Sequence, residues 1–310
     1  MSGTEHGADR HGLAYGAGAY LLWGLFPLYW PLLAPAGAGE VLAHRVLWSL
    51  VFVAGLLAVR GRWAWVRRLG ARRTGLLAVA ATVVSVNWLG YIWGVSNGHV
   101  VETSLGYFIN PLVTVLLGVL VLGERLRSVQ WAALGLGAVA VLVLTADYGR
   151  PPWLALLLAV SFATYGFVKK KVGIGAVQSL GVETALLAAP ALAYLGWLAA
   201  TGGSTFGTGG GGHVLLLVLA GPVTAVPLLL FGAAARRLPL SVLGLLQYLA
   251  PVLQFGFGVL LFHEPMPPAR LAGFGLVWLA LVVLTADGLR SARRTRRDRR
   301  DRVLAAVTAG

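Results

Sequence analysis

The sequence predicts an all-α membrane protein of ten transmembrane helices, built as two inverted five-helix repeats. Three observations predict it. The 310 residues are 58% hydrophobic and only 12% charged, with a mean hydropathy of +0.79, whereas a soluble domain carries about 25% charged residues. The basic residues fall almost entirely on one side once the chain is threaded through a bilayer. The sequence also repeats itself at a fixed offset of 140 residues.

Taken in order, ten apolar stretches run at about 12–33, 40–59, 74–96, 101–122, 129–146, 152–169, 176–200, 213–234, 239–262 and 269–287. Most approach the roughly 20 residues needed to cross a bilayer. Most also lack a wide polar face, and a helix apolar all round belongs in lipid or in a very large core. The first, Gly12 to Leu33, exceeds the usual apolar region of about 7–15 residues in a cleaved signal, so it reads as a retained helix.

With the N-terminus inside, the inside segments hold Arg10; Arg60, Arg62, Arg67, Arg68, Arg72 and Arg73; Arg125 and Arg127; Lys169 to Lys171; Arg236 and Arg237; and eight arginines from Arg290 to Arg302. That is 22 of the 25 basic residues, the excess expected of cytoplasmic loops. Outside loops hold only Arg150 and Arg270, and Arg45 falls within the second stretch. Both termini are therefore expected in the cytoplasm. The net charge of +14 does not imply a nucleic-acid partner, because the basic tail follows the last helix, where it would rest on anionic headgroups. The absence of cysteine excludes disulfides, thiolate metal sites and cysteine nucleophiles.

Thr103–Asp147 aligns without gaps on Leu243–Asp287, and fifteen of the 45 positions are identical. Pro111/Pro251, Gly118/Gly258, Glu124/Glu264, Gly135/Gly275 and the shared ending Leu-Thr-Ala-Asp carry more weight than matches among leucines and valines. Five helices per unit is an odd number, so the second unit enters the membrane upside down, with Glu124 inside and Glu264 outside. The expected organisation is a cytoplasmic N-terminus over 1–11, one repeat over 12–148, a second over 149–288 and a basic tail over 289–310. Inverted repeats are a recurrent transporter design, with the substrate site near the midplane between the halves. Duplication also yields stable bundles that move no solute, so a structural or lipid-handling protein is the competing reading.

Ionisable groups inside a membrane usually face an interior or a pathway. The second stretch opens with Glu40, His44, Arg45 and Trp48. Glu40 and His44 are spaced i,i+4 on one stripe, with Glu40 within reach of Arg45. The group could bind a charged solute or pass protons, or it could be a structural ion pair. Asn87 and Tyr91 share a face of the third stretch, Tyr107 and Asn110 precede Pro111 in the fourth, and Tyr165 lies in the sixth. Gln247, Tyr248 and Gln254 surround Pro251 in the ninth. The prolines are expected to kink their helices, because each frees a backbone carbonyl one turn earlier. Glu183 lies two turns into the seventh stretch. A polar, aromatic-lined cavity and plain interhelical hydrogen bonding both fit this set. Thr201–Gly212, nearly all Gly, Ser and Thr, reads as a flexible loop with no assigned chemistry. The sequence contains neither HExxH nor a P-loop, so catalysis and ATP-driven transport are not expected.

The stretch Tyr20-Leu-Leu-Trp23-Gly24 with Pro27, the run Glu40-x-x-x-His44-Arg45-x-x-Trp48-Ser49, and Ser104-Leu-Gly-Tyr-Phe-Ile-Asn-Pro-Leu112 followed by Gly123-Glu124-Arg125 resemble the RarD group of the EamA family, in the drug/metabolite transporter superfamily. The resemblance covers about residues 12–287 and is strongest in the first half. It implies ten helices from two EamA units, a bacterial cytoplasmic membrane, and permease or exporter activity on small molecules without a cofactor. It transfers no residue-level mechanism. Substrate, direction, coupling to protons and oligomeric state, a homodimer included, stay open.

Overall fold

A computed structural model of the chain describes residues 10–59, 69–123, 125–235, 237–238 and 240–308. Glu124, Arg60, Arg62, Arg67, Arg68, Arg236 and most of the N-terminal segment lie outside the described residues, as do the side chains of the tail beyond Ser291.

Among the described residues all regular structure is helical: α1 (Arg10–Gly24), α2 (Phe26–Tyr29), a 3-10 turn (Trp30–Leu33), α3 (Ala38–Val59), α4 (Ala71–Ser96), α5 (Val100–Leu122), α6 (Ser128–Tyr148), α7 (Trp153–Val172), α8 (Ala176–Ala200), α9 (Gly210–Ala235), α10 (Leu240–Leu246), α11 (Leu249–Gly256), a π-helical turn (Phe257–Leu261) and α12 (Pro268–Thr308). Among the described residues, eight segments are long and apolar enough to cross a membrane. The other two of the ten expected stretches differ for physical reasons. The first is broken, and the apolar part of α7, Trp153–Lys169, has about 25 Å of rise against a hydrocarbon core of about 30 Å.

Prolines explain the breaks. Pro27 has no N–H for the carbonyl of Trp23. The chain turns at Leu25, and Gln254 Nε2 donates to that carbonyl at 3.1 Å. A 3-10 turn follows at Trp30–Leu33, with Pro31 near its start. In the ninth stretch Pro251 leaves the carbonyl of Gln247 without its helical partner, and the helix parts at Gln247–Tyr248 between α10 and α11. Pro111 acts more mildly. Helix α5 stays continuous around it, and Thr114 Oγ1 donates to the Asn110 carbonyl at 2.9 Å.

Two helices depart from expectation in extent. Helix α12 runs through the basic tail to Thr308 rather than ending near 287. Helix α9 begins at Gly210, so the end of the glycine-rich segment is helical.

The principal packing joins helices far apart in sequence: α6 on α12, α5 and α4 on α7, α3 on α8 and α9, and α1 on α9 and α11. Glycines permit close approach where backbone meets backbone. A Cβ on Gly221 of α9 would sit 2.3 Å from the Trp48 carbonyl carbon of α3, and one on Gly106 of α5 would sit 2.8 Å from the Ala155 carbonyl oxygen of α7.

Ion pairs secure both ends of the α6–α12 contact. Arg127, at the start of α6, meets Asp287 of α12 at 2.6 Å. Asp147, at the end of α6, meets Arg270 at the start of α12 at 2.8 Å. Beside the second pair, Arg150 binds Glu102 at 2.8 Å, and Glu102 also accepts the Leu154 N–H at the start of α7. The side-chain hydrogen bond to Glu102 raises the Arg150 pKa above its ordinary value. Glu264 accepts the N–H groups of Val100 and Val101 at 2.5 and 3.0 Å, serving the orphan donors of the α5 N-terminus. Burial holds its carboxyl above the usual range despite those bonds.

Candidate functional site at a buried arginine

Arg45 lies on α3 and is almost fully buried. Its guanidinium carbon stands 3.9 Å over the Trp88 ring of α4. It lies 5.1 Å from the Trp30 ring and 5.7 Å from that of Phe26, both carried by the broken first segment. Desolvated guanidinium–aromatic contacts of this kind are worth about 2 kcal/mol or more. They stabilise the cation but supply neither a counter-charge nor a hydrogen-bond acceptor. Arg45 Nε and Nη1, Trp30 Nε1 and the Tyr91 hydroxyl are all buried without a hydrogen-bond partner. Tyr29, Tyr91 and Tyr107 lie within electrostatic reach of the guanidinium.

Neighbouring rings and amides hold the tyrosine rings in place. Tyr91 packs edge-on to Tyr107 with centroids 5.5 Å apart. The Tyr107 hydroxyl donates to Asn87 Oδ1 at 3.3 Å. Asn87 Nδ2 donates to the Leu158 carbonyl and to Ser161 Oγ at 3.0 and 2.9 Å, so both its donors are spent tying α4 to α7. Asn110 turns the same way and donates to the Ala159 carbonyl at 3.2 Å. Of the expected polar residues, Arg45, Asn87, Tyr91 and Tyr107 therefore share one region.

Glu40 does not join Arg45. It sits in the first turn of α3 and faces the 201–209 segment instead. It accepts bonds from Ser204 Oγ at 3.1 Å, the Thr205 N–H at 2.7 Å and Thr205 Oγ1 at 2.9 Å. Thr205 Oγ1 also meets His213 Nε2 at 2.8 Å. The segment read as free of chemistry is thus tied to the helix beside the site. Composition gave no sign of this, because the anchoring carboxylate lies 164 residues away.

His44 and Trp48 do share a stripe, and Trp48 Nε1 donates to His44 Nδ1 at 3.3 Å. The imidazole stacks on Phe206 at 4.7 Å, and its Nε2 is buried without a partner. With Ser204, Leu192 and Leu195 these residues line a groove of roughly 650 Å³ between α3 and α8.

Glu183 belongs to a separate buried group. It accepts from Lys169 Nζ at 2.8 Å, Ser179 Oγ at 2.7 Å and the Tyr165 hydroxyl at 3.0 Å, and Lys169 also contacts Ser179. Lys169, expected in a basic loop, instead turns inward from the last turns of α7. The available signal was its i,i+4 spacing from Tyr165, which puts both on one stripe. A row of rings links this pair to the Arg45 region: Tyr107 to Phe162 at 5.9 Å and Phe162 to Tyr165 at 6.2 Å. Gln247 and Tyr248 are not brought to Arg45. They occupy the break before α11, where Tyr248 packs on the cluster formed by α5, α6 and α12 and its hydroxyl faces Thr285 and Gln247.

Gly94-Val95-Ser96-Asn97-Gly98 has the GxSxG spacing of a hydrolase elbow. It closes α4 and leads into α5, without the strand that would aim such a serine.

Comparison with known proteins agrees with this architecture. The model of the EamA-like transporter family matches residues 10–146. Protein RarD of Streptomyces exfoliatus is 64% identical over 291 residues, covering 93% of this chain and 92% of its own. A protein of Pseudomonas aeruginosa named as an uncharacterized transporter is 44% identical over 287 residues, covering 92% and 96%. A solved crystal structure superposes with a TM-score of 0.57 at 19% identity, over 89% of this chain and 98% of that one, a likeness of fold. The chain is a RarD-type member of the EamA-like transporter family, a multi-pass membrane protein of the drug/metabolite transporter superfamily.

Proposed function

We propose that the protein is a secondary transporter of small metabolites or drug-like solutes in the bacterial cytoplasmic membrane. It works by alternating access, with ten spans in two inverted five-span repeats and both termini inside. The packing between the halves carries this reading. Asp147 and Asp287 are 140 residues apart and end the same repeated motif, and each pairs with an arginine at the start of the other's helix. Helices α6 and α12 therefore run antiparallel. The contact of α1 with α9 and α11 has its counterpart in that of α7 with α4 and α5, and α3–α8 and α5–α11 pair corresponding helices. An in-plane pseudo-two-fold axis generates such a pattern. Gly123 and its repeat counterpart His263 even share left-handed backbone, at φ +65° and +54°. Each end carries its own ion pair, so opening one face need not disturb the other.

In this reading the solute path lies between the halves beside Arg45. The Lys169–Glu183–Tyr165 group is the candidate for coupling to protons, because a buried acid and base in contact can exchange protonation as solvent reaches them. A lipid-handling role is the second reading, favoured by the groove beside His44, where Val51 and Leu192 are exposed on the outer surface of the bundle.

Purified protein in proteoliposomes separates the two. Saturable, pH-gradient-dependent solute flux that Glu183→Gln removes is expected of a carrier. Lipid scrambling without solute flux would overturn it. Labelling of a cysteine placed after Ala146 from the periplasmic side, with the tail protected, tests the threading in this cysteine-free chain.

A further inference from the structure

The geometry points to Arg45 as the binding site for an organic monoanion, engaged through its carboxylate and seated between aromatic rings. This inference rests on the transporter reading and names its substrate class.

A guanidinium cannot shed its proton in a protein, and a buried charge needs a partner. Six acidic side chains are described, and each is committed elsewhere. Glu40 holds the 201–209 segment, Glu102 holds Arg150, and Asp147 holds Arg270. Glu183 holds Lys169, Glu264 holds the start of α5, and Asp287 holds Arg127. Among the described residues, therefore, none supplies the counter-charge.

The unpartnered atoms around Arg45 are of one kind. Two guanidinium nitrogens and the indole nitrogen of Trp30 can only donate, and the Tyr91 hydroxyl can donate as well. A cluster of buried donors fits an acceptor-rich, negatively charged group. The planar guanidinium fork matches a carboxylate in particular, and a single cation fits a monoanion. The faces of Trp88, Trp30 and Phe26 offer the rest of the solute an apolar, aromatic bed. Phe26 and Trp30 ride on two short helical pieces beside Pro27 and Pro31. That makes them the wall whose movement would admit the ligand.

The test is equilibrium binding to the full chain in detergent micelles, by calorimetry, with benzoate and phenylacetate set against benzamide and phenylacetamide. The acids are expected to bind at least tenfold more tightly than their amides. Arg45→Gln should abolish the difference, and Arg45→Lys should retain part of it. Trp30→Phe and Tyr91→Phe, which each keep an aromatic ring and lose the donor, should each weaken acid binding several-fold. Equal affinity for acids and amides would overturn the proposal, as would unchanged acid binding by Arg45→Gln. If Arg45→Gln does not fold, unchanged affinity in both donor-deletion variants overturns it instead. Binding in micelles does not depend on transport. Acid binding without flux in proteoliposomes therefore sinks the transporter reading alone, whereas flux of neutral solutes with no preference for acids sinks only the site.

Discussion

Gly221→Ala is expected to loosen the contact that holds the Arg45-bearing helix in place. The added methyl would lie 2.3 Å from the Trp48 carbonyl carbon, 2.5 Å from its oxygen and 2.6 Å from its Cβ. Non-bonded carbons rest about 3.5–4.0 Å apart. The first two of these atoms are backbone, so no rotamer change relieves the clash, and α3 and α9 must separate by about 1 Å. Overpacking of this kind costs about 1–3 kcal/mol. At about 2–4 °C per kcal/mol for a chain near this size, the apparent Tm should fall by roughly 2–12 °C. The bond from Ser49 Oγ to the Gly221 carbonyl, already 3.3 Å long, should be lost. Scanning fluorimetry in micelles reads the shift. Gly135→Ala is the matched control. That glycine also lies inside a helix, nothing stands within 4 Å of its added carbon, and relief of backbone entropy should stabilise by about 0.5–1 kcal/mol. Equal shifts in the two variants, or an unchanged Tm in Gly221→Ala, would refute the close-packing argument.

Four further outcomes are expected. Arg270→Gln should lower Tm more than Arg127→Gln, because the Arg270 side chain is 16% exposed and that of Arg127 49%. Removing one partner of a buried pair costs about 3–5 kcal/mol, against about 0–1 kcal/mol for an exposed pair, and equal losses would contradict this burial ranking. Lys169→Met and Glu183→Gln should each destabilise by a similar buried-pair cost, while the double variant recovers part of it; a strictly additive double-mutant cycle would deny the coupling. The folded-state pKa of Glu264 is raised by burial, so its contribution falls as pH rises from the unfolded carboxylate value, near 4.5, through the folded one. The Tm of wild type relative to Glu264→Gln should decline across that window, and a flat difference counts against it. His263→Gly should stabilise by about 1 kcal/mol, because it removes a side chain from left-handed backbone, and a lower Tm would show that the imidazole makes a compensating contact.

Much of the site was legible because membrane burial makes polar residues conspicuous. Arg45, Asn87, Tyr91 and Tyr107 stand out in apolar stretches and do meet in space. Helical spacing correctly paired His44 with Trp48. It also put Glu40 on the side of His44, since both face the 201–209 segment, but it did not reveal that this segment, and not Arg45, takes up the carboxylate, because an i,i+4 stripe fixes which side a residue faces but not which distant segment stands opposite. Lys169 shows a related limit: three consecutive lysines look like a loop, yet one of them faces inward to the Glu183 carboxylate. Gln254 shows the same limit. Its role depends on a carbonyl that Pro27 leaves free in a helix 231 residues away.

The sequence by itself determined the membrane class, the apolar stretches, the self-similarity at a 140-residue offset and the positions of the prolines. These depend on local composition, on chain geometry and on the inability of proline to donate a hydrogen bond. Only the tertiary structure decided which charges are spent on one another and which remains. Pairing is a property of space: Asp147 and Asp287 find their arginines across helices over a hundred residues apart, and Glu40 finds its partners in a segment more than 160 residues away. Arg45 looked like one member of a charged cluster in the second stretch. In the folded chain it stands apart, surrounded by aromatic rings and by donors without acceptors.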